Sequence, residues 1–389
     1  MLERVRTAPL ELVLAHLGLR ADRTCTVGDP ARAPGRTLLA GVRPGDRGVE
    51  AAAGELLALA GEGPGPALLL LEGDREEREL ARWRNALWPV LHVGALYRLS
   101  HKGIVRESLG GTEALRGATG IHGVLLVAER REAVLAPDTT VAKFDKNAAG
   151  WDGDPSSPGY PHFRWMRRFV GTFAPADRLR GAKRILDFGC GAGWVGIEAA
   201  LAAPGAELCA FDPSPEMVKL AEGNARASGI ARFASRTGFG EDPPFPAAGE
   251  APFDLVLSSG VLSFAPDPER WLDGLARTVA PGGTLVIGDL NRESKGMRRR
   301  RETKPLLPVR EMNARTREEV RAALEWRGFR FEAWAGYQLT SPVPELMHWS
   351  ERKLGGALSG ALLRWNRLRS GAPDHPERFD SWVIRFARG

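Results

Sequence analysis

Apolar positions in the first third of the chain come in short blocks separated by polar ones. Continuous apolar runs at 37–42 and 66–73 predict buried strands, and helical patterning at 48–61 and 74–88 predicts helices around them. Further strands are expected at 90–100 and 123–135. Residues 1–20 hold an apolar stretch broken by Glu11 and His16, which predicts an amphipathic helix rather than a signal peptide. Residues 1–140 are therefore expected to form an N-terminal α/β accessory domain, and Ala-Pro-Asp-Thr-Thr at 136–140 reads as a linker.

Beyond it, a helical segment leads into a Pro/Gly-rich loop dense in aromatics: Phe144, Trp151, Tyr160, Phe163 and Trp165. From 184 to 336 strand and helix patterns alternate again, and Asp-Ser-Trp-Val-Ile-Arg-Phe-Ala-Arg near the end predicts a last strand. Between Tyr337 and that strand lies an insertion, about 338–378, too long for an ordinary connection. Leu354, Leu358, Ala361, Leu362, Trp365 and Leu368 fall at helical spacing in it. Such a stripe either packs on its own domain, lies on a membrane or caps a greasy substrate. No apolar run approaches ~20 residues, so no transmembrane helix is expected.

With 389 residues, the chain has room for two or three domains and a core built without disulfides. Its net charge of +6 fits an anionic substrate, a membrane surface or nucleic acid without selecting one. The three cysteines, Cys25, Cys190 and Cys209, are too scattered for a disulfide framework or a zinc site. A reducing cytoplasm and no bound metal are expected.

The chemistry concentrates at Ile-Leu-Asp-Phe-Gly-Cys-Gly-Ala-Gly-Trp-Val-Gly, 185–196, a strand, a tight turn and a helix start. Gly191, Gly193 and Gly196 satisfy the dinucleotide spacing GxGxxG. Gly189, Gly191 and Gly193 equally satisfy GxGxG. Three features separate the two. Asp187 stands just before the glycines, where its charge repels a pyrophosphate and suits an ammonium group. A second strand ends in Asp212, an acid placed for two ribose hydroxyls. Residues 251–290 then supply a fourth strand, a helix, a Pro-Gly-Gly turn and a fifth strand.

In this combination the chain resembles the class I S-adenosylmethionine (SAM)-dependent methyltransferases, over about residues 141–337 plus the last strand. The resemblance implies an α/β fold, a Rossmann-like seven-stranded sheet, within a methyltransferase domain at 141–389, and SAM as cofactor. It places Asp187, Gly189, Gly191 and Gly193 on the methionine and backbone side, Asp212 on the ribose and Met217 on the adenine. Ser258 and Ser259 would lie beside the transferred methyl. At Gly238 and Phe239, where the family carries an acid against the adenine amino group, this chain has none, and Glu241 or Asp242 would have to move in. The segment Phe-Asp-Lys-Asn-Ala-Ala-Gly-Trp-Asp-Gly, 144–153, is similar to the helix ahead of the core in ubiquinone/menaquinone-biosynthesis methyltransferases. By that likeness Trp151 helps close the cofactor site, and Phe144 and Trp151 could face the sulfonium by cation–π attraction.

The acceptor is less legible. After the fourth strand stands Ser258-Ser259-Gly260-Val261, not the Asn/Asp-Pro-Pro-aromatic motif of many amino-methylating enzymes, and no nucleophilic cysteine lies near it. His162, read as lying in a loop beside Tyr160, is the candidate general base because histidine titrates near neutrality. A structural histidine is the plainer reading. His348 is a weaker candidate. Tyr160 and Ser263 are candidate acceptor contacts. Arg298 to Arg301 read as a solvated basic loop or, more sharply, as a trap for an anionic group. The expected activity is methyl transfer to O, N or C of a small organic or lipid-like acceptor. An RNA or protein methyltransferase, or a non-catalytic SAM-binding scaffold, are the alternatives. No DNA partner is expected; peripheral membrane contact and a homodimer stay open.

Overall fold

The computed structural model describes residues 23–26, 38–42, 49–60, 67–73, 75–87, 91–100, 102–108, 111–115, 122–130, 137–151, 160–303, 309–339, 346, 349–350, 353–355, 357–370 and 375–389. The chain divides into two compact units, Met1–Val134 with Arg299–Pro308 and Leu135–Arg298 with Val309–Gly389. The predicted helix at 1–20, the 152–159 loop and His348 lie outside the described residues.

In the first unit, β1 (Arg23–Thr26), β2 (Leu38–Val42), β3 (Ala67–Glu72), β4 (Leu91–Ser100), β5 (Gly103–Ser108), β6 (Gly111–Leu115) and β7 (Gly123–Arg130) form one sheet, ordered β1-β2-β3-β7-β4-β5-β6. The first three are parallel; the others pair antiparallel. Helices α1 (Val49–Ala60) and α2 (Glu77–Leu87) bring Leu56, Leu80, Trp83 and Leu87 into one core with Leu69, Leu71 and Leu126. Leu68 to Leu71 are all buried, so β3 is covered on both faces, which is why it reads as an unbroken apolar run. The short strand β1 and the β5–β6 hairpin were not expected. Their polar residues hide the alternation that a half-buried strand normally shows.

The second unit opens with α3 (Pro137–Asn147), which takes in most of the presumed linker. Proline's fixed φ suits a helix's first turn, and Asp138 complements its positive end. Next, α4 (Tyr160–Gly171) places Tyr160 and His162 in a helix's first turn instead of a loop, again with a proline just inside the start. After α5 (Ala176–Gly181) come β8 (Arg184–Phe188), α6 (Trp194–Ala202), β9 (Glu207–Asp212), α7 (Pro215–Ala227), β10 (Phe233–Thr237), β11 (Phe253–Ser259), α8 (Pro268–Thr278) and β12 (Val279–Leu290). The chain ends with α9 (Lys295–Thr303), α10 (Val309–Met312), α11 (Arg317–Trp326), β13 (Phe329–Leu339), α12 (Ser359–Arg369) and β14 (Phe379–Arg388).

Its sheet runs β10-β9-β8-β11-β12-β14-β13, with β14 antiparallel to both neighbours and the other pairs parallel. This is the predicted Rossmann-like seven-stranded arrangement. Strand alternation sends Leu186 and Phe188 to a core with Phe211 and Trp271, and Ile185 to the opposite core with Ile197 and Leu208. Strand order reverses between β8 and β11, so a crevice opens beyond their carboxyl ends. The caps fix the helices that flank it. The Ser214 hydroxyl accepts the Met217 N–H at the start of α7, and Asp267 accepts two N–H groups at the start of α8.

In the insertion, α12 buries Leu363 and Asn366, while Leu354, Leu358 and Trp365 are exposed and Leu368 is 74% exposed. The predicted stripe is therefore not the face that packs on the domain. Arg298 to Arg301 lie on α9, not in a loop. No described helix is long and apolar enough to cross a membrane.

Candidate active site

A cleft opens at the carboxyl ends of β8, β9 and β11. The turn after β8 forms its floor. Gly189 has φ +72°, and a methyl group built there would lie 2.6 Å from Val261 Cγ1. Gly191 has φ +49°, and a methyl group there would project toward Trp151 Nε1 at 3.6 Å. Backbone curvature and close approach thus both demand glycine at this turn. Gly193 serves differently. It N-caps α6 with φ +81°, and a Cβ would press on Ala221 at 3.0 Å, so it shapes the turn from behind the cleft wall.

Two acids stand at this floor. Asp187 is 2% exposed and accepts the Gly196 N–H at 2.8 Å. Burial pushes its carboxyl up to about 7; the Gly196 bond opposes the rise and the Asp212 charge adds to it. Asp212 accepts the N–H groups of Gly191 at 2.9 Å and Ser214 at 3.0 Å, and burial raises it to about 6 against those two bonds. The acid pair is a pocket for positive charge, since a cation would let both carboxyls ionise. Asp145 of α3 accepts the Ser214 hydroxyl at 2.5 Å and so ties α3 to the start of α7.

Aromatic rings make the roof. Phe144 meets Trp151 edge-on at 5.6 Å and Phe264 at 5.1 Å. Phe239, Gly240 and Glu241 line the side beyond β10, with Trp271 behind. Glu241 supplies an acid after all, two residues beyond Phe239, and burial raises its pKa. Among the described residues, the cations that line the cleft are Arg167 and Arg310. The Cys190 thiol also lines it, and burial pushes its pKa well up, against a role as a thiolate.

Of the residues singled out from sequence, Phe144, Trp151, Asp187, Gly189, Gly191, Asp212, Phe239 and Ser259 line the cleft. Gly193, Met217, Gly238, Ser258 and Ser263 do not. Met217 is fully buried in α7. Gly238 is packed against Pro244, where a Cβ would sit 2.7 Å from its ring. The Ser258 hydroxyl donates to the Phe188 carbonyl at 2.9 Å, one residue too deep in β11. Ser263 gives both its N–H and its hydroxyl to Asp289, each at 2.9 Å. The side chains of Tyr160 and His162 lie outside the described residues. Neither Arg298 nor any described residue of the insertion lines the cleft. Sequence reading missed Arg167, Arg310 and Trp271, which no local motif marks.

The raised carboxyl of Asp187 makes a prediction for the ligand-free protein. The folded state keeps this proton to about pH 7, whereas an unfolded chain loses it near pH 4. The folded state binds the extra proton between those values, so this contribution to stability is full below about pH 4 and falls as pH rises toward 7. Urea unfolding across that window should show the decline, and Asp187→Asn should make it shallower, leaving the part due to Asp212. An identical slope in the variant would refute the assignment.

Residues 162–336 match the family model described as a methyltransferase domain. A ubiquinone biosynthesis O-methyltransferase of Xylella fastidiosa is 35% identical over 150 residues, covering 39% of this chain and 58% of that protein. Its namesake from Maricaulis maris is 33% identical over 164 residues, covering 40% and 62%. The chain thus spans somewhat over half the length of these curated relatives. Among solved structures, magnesium protoporphyrin IX methyltransferase from Synechocystis PCC 6803 with bound S-adenosylhomocysteine aligns with a TM-score of 0.46. It has 16% identity and covers 66% of this chain and 100% of that one.

Proposed function

We propose that the protein, whose residues 162–336 match a methyltransferase-domain model, is a class I SAM-dependent methyltransferase that transfers a methyl group from SAM to a hydroxyl of a small organic acceptor. One observation carries the reading: a single cleft joins two buried acids, a glycine floor open to a ligand and an aromatic roof. These fit a sulfonium donor. Asp212 keeps lone pairs for the ribose hydroxyls, and Glu241 stands on the adenine side. Asp187 favours the methionine ammonium, and Arg167, whose positive charge acts on Asp187, faces the donor's carboxylate. When bound, SAM supplies a methyl group already activated by positive charge.

The protein's part is alignment. Trp151 and Phe144 exclude water above the turn, while Ser259, Gly260, Val261 and Phe264 shape the remaining space. Holding acceptor and donor in line accounts for up to ~7–11 kcal/mol of barrier lowering. The names of the curated relatives support oxygen as the methylated atom.

The test is a methyl-transfer assay of the full chain with SAM and a panel of catechols, reading S-adenosylhomocysteine and the methyl ether together. Formation of both in equal amounts is expected. Transfer confined to RNA or protein added to the same assay would overturn the small-molecule reading.

A further inference from the structure

Beyond the acids and rings that suit the donor, the cleft holds a cation with unfilled hydrogen-bonding capacity. Arg310 of α10 lines it next to Gly260, close enough that a Cβ on Gly260 would sit 2.8 Å from its guanidinium. Its Nε is buried without a hydrogen-bond partner. Its ion-pair partner, Asp289, is 3.7 Å away, beyond hydrogen-bond reach. Nor has Asp289 much left to give. Its Oδ1 accepts the Ser263 hydroxyl and the Leu290 N–H, and its Oδ2 accepts the Ser263 N–H. Asp289 therefore steers the arginine without saturating it.

A second cation stands nearby. Lys143 Nζ lies 4.7 Å from the centre of the Phe264 ring, and the Arg310 guanidinium carbon lies 5.8 Å from the same centre. Partial desolvation of its ammonium, and then the charge of Arg310, lower the pKa of Lys143. Among the described residues, Lys143 has ring contacts and no carboxylate within ion-pair distance. Two like charges at one ring with too little counter-charge make a place for an anion.

We propose that the methyl acceptor carries a carboxylate, bound by Arg310 and Lys143 at the Phe264 edge of the cleft. The inference rests on the methyltransferase reading above and names the acceptor's class. A guanidinium fork matches a carboxylate's planar pair of oxygens, and the ammonium adds a point charge. The polarity of the cleft then makes sense as a whole, with Asp187 and Asp212 toward the cationic donor and Arg310 toward the anionic acceptor.

The test titrates full-length protein, saturated with S-adenosylhomocysteine, with benzoate and separately with benzamide, its neutral counterpart. Saturation keeps the donor's own carboxylate site filled. Benzoate is expected to bind about tenfold more tightly or better, as a charge-assisted hydrogen bond implies. Arg310→Gln is expected to erase that preference and Arg310→Lys to keep part of it. Lys143→Gln, a change on the exposed side of α3, is expected to weaken it while leaving S-adenosylhomocysteine affinity unchanged. Equal affinity for the two probes, no binding of millimolar benzoate, or a preference that survives in Arg310→Gln would overturn the proposal while the methyltransferase reading stood. Failure to bind S-adenosylhomocysteine would overturn both.

Discussion

Replacing Asp212 with alanine is expected to weaken SAM binding by about 10- to 150-fold, the equivalent of ~1.5–3 kcal/mol for lost charge-assisted hydrogen bonds. The carboxylate works in two ways. It orders the turn through the Gly191 and Ser214 N–H groups, and it presents its remaining lone pairs to the cleft. Alanine removes both and leaves two backbone donors without a protein partner. Asp212→Asn separates the contributions. An amide oxygen can still accept one N–H, so the fold is expected to hold while most of the affinity is lost. Equilibrium titration of both variants checks this, with circular dichroism to confirm folding. An Asp212→Ala protein that folds and binds SAM like the parent would remove the ribose assignment.

Gly274→Ala is expected to give the largest loss of stability among the cleft's supporting residues, about 1–3 kcal/mol or more. Gly274 lies on α8, where a Cβ would overlap the carbonyl oxygen of Gly240 and approach Pro243 Cδ at 3.2 Å. Backbone meets backbone there, so no side-chain rotation can relieve the clash. Gly240 in turn lines the cleft with Trp271 and Phe188 behind it, and those rings meet edge-on at 4.9 Å. A shift of α8 therefore moves the cleft wall that Gly240 lines. Urea unfolding followed by tryptophan fluorescence should show the lost stability, and SAM affinity should fall with it. A variant as stable as the parent would mean that α8 can withdraw without cost.

The parts of this architecture that could be read from sequence are those with local causes. The strand–turn–helix at 185–196 announces itself because close approach and positive φ select glycine residue by residue. Asp187 and Asp212 are legible because strand ends fix their position at the cleft. Asp-Phe at 187–188 also shows how alternation sorts one acid to the site side and one ring to the core. Other features have no local signature. Arg310 sits on a four-residue helix, and only the packing of that helix beside Gly260 brings it into the cleft. Ser258 and Ser259 look equivalent in sequence, yet the period of two turns one inward to the Phe188 carbonyl and the other to the cleft. The insertion shows the opposite failure. Its apolar spacing is plain, but tertiary packing chose Leu363 and Asn366 as the buried face. Residues 136–140 misled for a chemical reason, since proline marks helix starts as well as linkers.

The central claim, that the glycine turn with its two acids holds a sulfonium donor, is tested most directly by calorimetric titration of the full chain. SAM, S-adenosylhomocysteine and NAD would be titrated in parallel. The two sulfur ligands are expected to bind one per chain, with NAD giving no heat of binding. Binding of NAD in place of SAM, or no binding of either sulfur ligand to the folded protein, would contradict the account.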